Sequence, residues 1–298
     1  MKHPSVTRVH TMEMPELAPY RTLRRPAEHL RQGMFVAEGG KVVERLLASG
    51  LRVESVLLTP RWLDRLREAL QAPAAREARI FMAEQELLET IVGFRLHQGV
   101  MAAASVPGDP GLEGVMAGAR APRAFLALDG LASAENVGVI VRSAAAFGAS
   151  AVISGETSAS PYLRRAVRNS MGGVFLVPVH HTRSLAEAVG RMRDLGIRCL
   201  AADPRGETPL GMCDLREDLC LVLGNEERGV SEGVLAACRR VSIPMEGGTD
   251  SLNVAGAAAV FLYEISRQRG AADQPRDGPA GASTHPTTQT APEAPRPG

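Results

Sequence analysis

From Phe35 onward, apolar positions along the chain switch repeatedly between helical and strand periods. Val42, Val43, Leu46 and Leu47 recur three and four apart, the spacing of one helix face, and Gly50 stands where a C-terminal cap belongs. VESVLLT then reads as a strand, Trp62, Leu63, Leu66 and Leu70 as a second helix, and RIFMA as a short strand. Leu87, Leu88 and Ile91 mark a third helix before the strand GVMAAASV. These elements predict a small α/β domain over 32–107. PGDPGLEGVMAGARAP, rich in Gly and Pro, predicts a linker over 108–121.

The buried strand AFLALD opens a second domain, predicted over 122–270. A helix carrying Val137, Ile140, Val141 and Ala144 follows and ends at Gly148. The alternation runs on through AVIS, a helix around Ala166, FLVPV, a helix from Ser184 to Leu195, and RCLAA. Strands alternating with helices imply a mainly parallel sheet covered on both faces. The pattern then changes to CLVLG, the loop NEERG, a short helix from Ser231, VSIPM, the loop EGGTDS, and a last helix from Leu252 to about Arg267. Residues 271–298 hold six prolines and no large aliphatic residue, so they predict a disordered tail. Residues 1–31 carry Lys2, Arg8, Arg21, Arg24, Arg25 and Arg31 against three glutamates, which predicts a basic extension.

Composition bounds the chemistry. With 45% hydrophobic and 22% charged residues, the 298-residue chain can bury ordinary cores. Aromatic residues at 4% are too few to build stacking platforms for single-stranded bases, so any nucleic-acid contact must lean on arginine. A net charge of +1 leaves the distribution of charge to decide. Cys199, Cys213, Cys220 and Cys238 lack the C-x-x-C spacing of zinc or thioredoxin-like sites and predict structural thiols in a reducing cytoplasm. His180 and His181 adjoin but lack further ligands at metal spacing, and the lone His97 reads as structural, so no metal is expected. There is neither a secretory signal nor a membrane-length apolar run, so a cytoplasmic location is expected.

Ligands of open parallel sheets sit beyond the carboxyl ends of the strands. Three loops leave such ends: DGLASAENVG after AFLALD, GNEERG after CLVL, and EGGTDSLN after VSIPM. Neither a G-x-G-x-x-G at the first strand-helix turn nor a P-loop is present, which disfavours a nicotinamide dehydrogenase. Late glycine-rich loops suit an adenosyl ligand that has no phosphates. Glu226, between Gly224 and Gly229, offers a carboxylate to sugar hydroxyls or to a sulfonium charge. Arg164, Arg165 and Arg168 cluster on one helix and can track RNA phosphates.

AENVGVIVRSAAAFG, LVLGNEERGV and SIPMEGGTDSLNV resemble, in order and spacing, the three motifs of the SpoU-type (TrmH-like) ribose methyltransferases of the SPOUT superfamily. RNSMGGVFLVPV, FVAEG and FRLHQGVMA extend the resemblance over roughly residues 20–270. It implies a catalytic domain tied in a deep trefoil knot, an accessory domain resembling a ribosomal protein, and a homodimer whose active site borrows from both chains. It also implies S-adenosylmethionine (AdoMet) as methyl donor and a ribose 2′-hydroxyl of structured RNA as acceptor, ribosomal RNA ahead of transfer RNA.

Carried over residue by residue, Gly224, Ile243 and Leu252 match the positions that hold the adenosyl group, with Met245 and Ser251 as neighbours. Asn136, Arg142, Glu226 and Asn253 match the catalytic positions, the arginine acting with substrate phosphate and the asparagine orienting it. A guanidinium keeps its proton to a pKa above about 12, so Arg142 suits phosphate clamping better than the role of base. Ser133-Ala134-Glu135 replaces an Asp-Pro common before the asparagine, and Ala255 and Gly256 replace bulkier residues. The rival readings are a non-catalytic RNA-binding or ribosome-assembly protein, which would predict lost motif residues, and base methylation, which the first motif's N-x-G-x-x-x-R disfavours.

Overall fold

The computed structural model describes residues 6–23, 25–92, 99–246 and 251–270. The expected tail, His97 and the centre of the third loop lie outside them.

Five strands form the first sheet: β1 (Val6–Arg8), β2 (Met34–Glu38), β3 (Val53–Leu58), β4 (Arg79–Met82) and β5 (Val100–Ser105), in the order β1-β4-β3-β5-β2. β1, β4 and β3 run parallel, while β5 is antiparallel to β3 and β2. Helices α1 (Ala18–Arg21), α2 (Pro26–Arg31), α3 (Gly40–Ala48), α4 (Pro60–Arg65) and α5 (Gln85–Val92) accompany it. The predicted helix through Leu70 breaks after Arg65 into separate short turns.

Two expectations change here. The segment from Val6 to Arg31 is part of the first sheet's packing, because Val9, Met12, Leu17, Tyr20 and Leu23 are buried against Val36, Leu57, Phe81 and Met101. Arg8, Arg21, Arg25 and Arg31 face solvent, and the number of basic residues obscured the apolar positions between them. The expected linker contains helix α6 (Gly111–Gly118), whose Leu112, Val115 and Met116 share one face and pack under the second sheet. Asp109 anchors it, accepting from Gly111 N (2.8 Å), His180 Nδ1 (2.7 Å) and His181 N (2.9 Å), so both histidines serve this anchor.

The second sheet comprises β6 (Ala124–Asp129), β7 (Ala151–Ser154), β8 (Val179–His181), β9 (Arg198–Ala202), β10 (Thr208–Pro209), β11 (Leu219–Gly224) and β12 (Arg239–Ser242). Every pairing in it is parallel, and the order is β10-β12-β9-β11-β6-β7-β8. Helices α7 (Ala134–Ala146), α8 (Arg164–Asn169), α9 (Leu185–Asp194), α10 (Glu232–Leu235) and α11 (Val254–Gln268) cover both faces. AFLALD and LCLVLG are near-continuous apolar runs because their strands, β6 and β11, are central and buried on both sides. They pair with each other across about ninety residues of sequence, so the chain's direction across the sheet reverses between them and their loops meet at that switch point.

One apolar cluster continues from the first sheet into the second, joining Phe35, Leu46 and Val56 to Leu126, Val137 and Phe261. Across this seam Phe35 stacks between Tyr162 (5.6 Å) and Phe175 (5.7 Å). Among the described residues, no helix is long and apolar enough to cross a membrane.

Candidate functional site

Strands β9, β11 and β12 are neighbours, and their carboxyl ends open into a cavity of about 750 Å³. Leu223, Val230, Val241, Ile243, Leu252 and Phe261 supply apolar walls. Gly224, Met245 and Ser251 also line it, so all five residues assigned to the cofactor by sequence meet in one place. Gly224 is required by close backbone approach: a Cβ there would lie 2.2 Å from both Gly229 C and Val230 N. Asn225 folds the second loop back on itself, exchanging backbone hydrogen bonds with Gly229 (3.0 and 2.8 Å), while its side chain accepts from Glu227 N and Arg228 N. Its Nδ2 donates to Gly130 O (2.8 Å), which ties the second loop to the first.

Three of the four expected catalytic residues meet at the rim. Ser133 caps α7, its hydroxyl accepting from Asn136 N (3.2 Å), and so sets Asn136 at the helix start. Asn136 Nδ2 donates to Glu226 Oε1 (2.7 Å), and Asn253 Nδ2 donates to Asn136 Oδ1 (3.3 Å). Asn253 in turn caps α11, accepting from Ala255 N (2.9 Å). One residue from each loop is therefore linked in a single chain of hydrogen bonds, with the Glu226 carboxylate at its open end.

Arg142 is not part of this constellation. Six residues beyond Asn136, it points from another side of α7, is exposed, and does not line the cavity. Its side chain has no hydrogen-bond or ion-pair partner among the described residues. Within one chain Asn136 does not reach Arg142; it is bound to Glu226 and Asn253.

The arginine cluster also divides. Arg164 is nearly buried (14% exposed) and paired with Glu38 of the first sheet, so its expected phosphate role gives way to docking. Arg168 shares Glu38 (3.3 Å) but is half exposed, and Arg165 is outward-facing, paired with Glu135 (2.9 Å).

Sequence reasoning missed Asp203 and Arg205, which line the cavity beyond β9. Asp203 is nearly buried, accepts from Arg205 N (2.9 Å) and pairs with Arg240 (3.4 Å). Their signal was available, since they follow RCLAA at the same carboxyl edge as the three recognised loops. Among the described residues, no group of three or more His, Cys, Asp or Glu is arranged to hold a metal.

Comparison with known proteins bears on this geometry. Residues 123–263 match the model of the SpoU rRNA Methylase family, and residues 19–102 that of an MRM3-like substrate binding domain. An uncharacterised tRNA/rRNA methyltransferase of Mycobacterium tuberculosis is 36% identical over 262 residues, covering 85% of this chain and 89% of the relative. The SpoU methyltransferase AviRb of Streptomyces viridochromogenes, solved in complex with AdoMet, superposes with a TM-score of 0.73 at 27% identity, over 84% of this chain and 96% of its own. A solved RNA 2′-O ribose methyltransferase gives 0.70 at 29% identity, over 88% and 99%.

Proposed function

The chain belongs to the SpoU family of AdoMet-dependent RNA methyltransferases, and from that premise we propose that it methylates a ribose 2′-hydroxyl in ribosomal RNA. The observation that carries this reading is the convergence of the three loops, with Asn136, Glu226 and Asn253 linked at the mouth of one cavity.

The cavity suits the cofactor. It is large enough for an adenosyl group, its walls are mainly apolar, and the Gly224 backbone is pressed against Gly229 and Val230 where a side chain would intrude. Gly224, Ile243 and Leu252 would hold the adenosyl group, with Met245 and Ser251 beside it. When bound, AdoMet supplies an electrophilic methyl group on a positively charged sulfur. The Glu226 carboxylate at the cavity rim would face that positive charge; Asn136 restrains the carboxylate directly and Asn253 acts through Asn136. Arg142 clamps a phosphate of the acceptor strand and so aligns the ribose hydroxyl for in-line attack.

Because Arg142 stands away from the cavity, this reading requires a second copy of the chain. Helices α7 and α11 expose Val139 (38%), Val260 (40%) and Tyr263 (52%), with Phe147 edge-on to Tyr263 at 6.2 Å. That apolar stripe runs beside Arg142 and supports a homodimer in which one protomer's Arg142 serves its partner's cavity. A knotted path through β11, β12 and α11 is part of the same reading. The names of the relatives favour ribosomal or transfer RNA as substrate, and the family's own name favours the ribosomal one.

The test is transfer of labelled methyl groups to RNA from cells lacking this protein, followed by mapping of the modified nucleotide. A 2′-O-methylated ribose in ribosomal RNA is expected. Absence of AdoMet binding, or label on a base, would overturn the reading.

A further inference from the structure

The docking of the first sheet converges on one short segment. Helix α8 and the turn after it, residues 164–175, lie between the first sheet and α7. On the outer side, Glu38 holds Arg164 and Arg168, Phe35 stacks on Phe175, and Arg45 of α3 donates to the carbonyl of Met171. Met171 is the one non-glycine residue with positive φ (51°) among the described residues, and Gly172 follows it at φ 83°. A Cβ on Gly172 would lie 3.0 Å from both Cβ and Cδ of Arg45.

On the inner side, Gly173 and Gly138 face backbone and the Cβ atoms of Ala145 and Asn169. A Cβ on Gly173 would lie 3.1 Å from Cα of Arg142 and 3.3 Å from the carbonyl of Val141. One turn earlier on α7, a Cβ on Gly138 would be 2.4 Å from the carbonyl of Ala166 in α8. Backbone and Cβ atoms have no rotamer with which to absorb a shift, so displacement of the segment is passed to α7.

We propose that Arg45 is a positioning residue for Arg142, acting through the turn Met171–Gly173. The inference rests on the reading of Arg142 as the phosphate clamp. Arg45 fixes the Met171 carbonyl, the carbonyl fixes the turn in its left-handed conformation, and Gly173 sets the height of α7 at Arg142. The first domain, over which the substrate-binding model matches, is thereby coupled to the arginine proposed to align the ribose.

The test compares full-length wild type with Arg45→Ala, Arg45→Lys and Gly173→Ala, using in-vitro-transcribed ribosomal and transfer RNAs and saturating AdoMet. Arg45→Ala is expected to lower kcat about tenfold, as a small misplacement of a catalytic group does, with KM for RNA and Kd for AdoMet changed by less than about twofold. Arg45→Lys, which retains a donor for the carbonyl, should recover most of the rate. Gly173→Ala pushes on α7 without altering any charge and should reproduce the kcat loss, which keeps the inference testable if Arg45→Ala does not fold. The relay is overturned if Arg45→Ala raises KM and flattens its salt dependence at unchanged kcat, the signature of a direct phosphate contact. It is equally overturned if a folded Arg45→Ala matches wild type, or, should that variant not fold, if Gly173→Ala does. A wild-type protein inactive on both RNAs removes the methyltransferase reading and the relay together, whereas an active wild type with unaffected variants removes the relay alone.

Discussion

Asn136 and Arg142 stand on the same helix, and their surroundings differ. Asn136, at the capped start of α7, gives and receives hydrogen bonds from the second and third loops and belongs to a constellation complete within one chain. Arg142, little more than a turn and a half further on, is exposed and without a partner among the described residues. Part of the difference is angular, because six residues turn an α-helix through about 240°, so the two side chains leave in different directions. The rest concerns what each must meet. A cofactor pocket can be preorganised by the chain's own loops, whereas the clamp proposed for Arg142 would have to remain open until substrate and, in that reading, a second protomer arrive.

The contrast can be broken most directly at Arg142. Arg142→Ala is expected to cut methyl transfer by about a hundredfold or more while leaving AdoMet affinity unchanged by calorimetry. Equal loss of cofactor binding would show that the two residues are not separated as described. Next in size is Glu38→Ala, which leaves nearly buried Arg164 without its carboxylate. Removing one partner of such a pair costs roughly 3 kcal/mol, to be read as a lowered denaturation midpoint.

Tyr263→Glu places a charge in the exposed apolar stripe and, if the proposed homodimer forms there, should shift sedimentation from dimer to monomer. Activity should fall with it, and mixing this variant with Arg142→Ala would sharpen the assignment of each arginine to its partner's cavity. Asn136→Ala should weaken AdoMet binding by about fivefold, on the scale of one lost net hydrogen bond of roughly 1 kcal/mol, without changing the oligomeric state.

The smallest effect belongs to Asp109, at the α6 anchor. Partial burial pushes its carboxyl upward, but hydrogen bonds from His181 N, Gly111 N and His180 outweigh this and hold it below the ordinary value. Because its folded-state pKa is depressed, its contribution is present above the unfolded carboxylate range and lost as pH falls through the folded value. Asp109→Asn should therefore flatten acid unfolding slightly, by less than about 1 kcal/mol after solvent screening.

Much of this was legible along the chain. AFLALD and LCLVLG announced central strands because strands buried on both faces carry unbroken apolar runs. Gly224, Ile243, Met245, Ser251 and Leu252 lie on loops whose motifs are short and contiguous, so their convergence followed from the parallel sheet. Asp203 was missed because one acidic residue after a strand carries no motif. The arm before Arg31 was misjudged because basic residues outnumber the apolar ones that do the packing there, and α6 because glycines hide three apolar residues on one face.

The sequence by itself determined the alternation of strands and helices in the second domain, the three loops and the residues available for donor chemistry, since each depends on local periodicity and short motifs. Only the tertiary structure decided which charges remain free. Arg164 and Arg142 look alike in sequence, but one meets the Glu38 carboxylate across a seam between sheets and the other meets nothing among the described residues. Whether a cation is neutralised depends on an opposite charge that can lie more than a hundred residues away, and no local pattern encodes that distance.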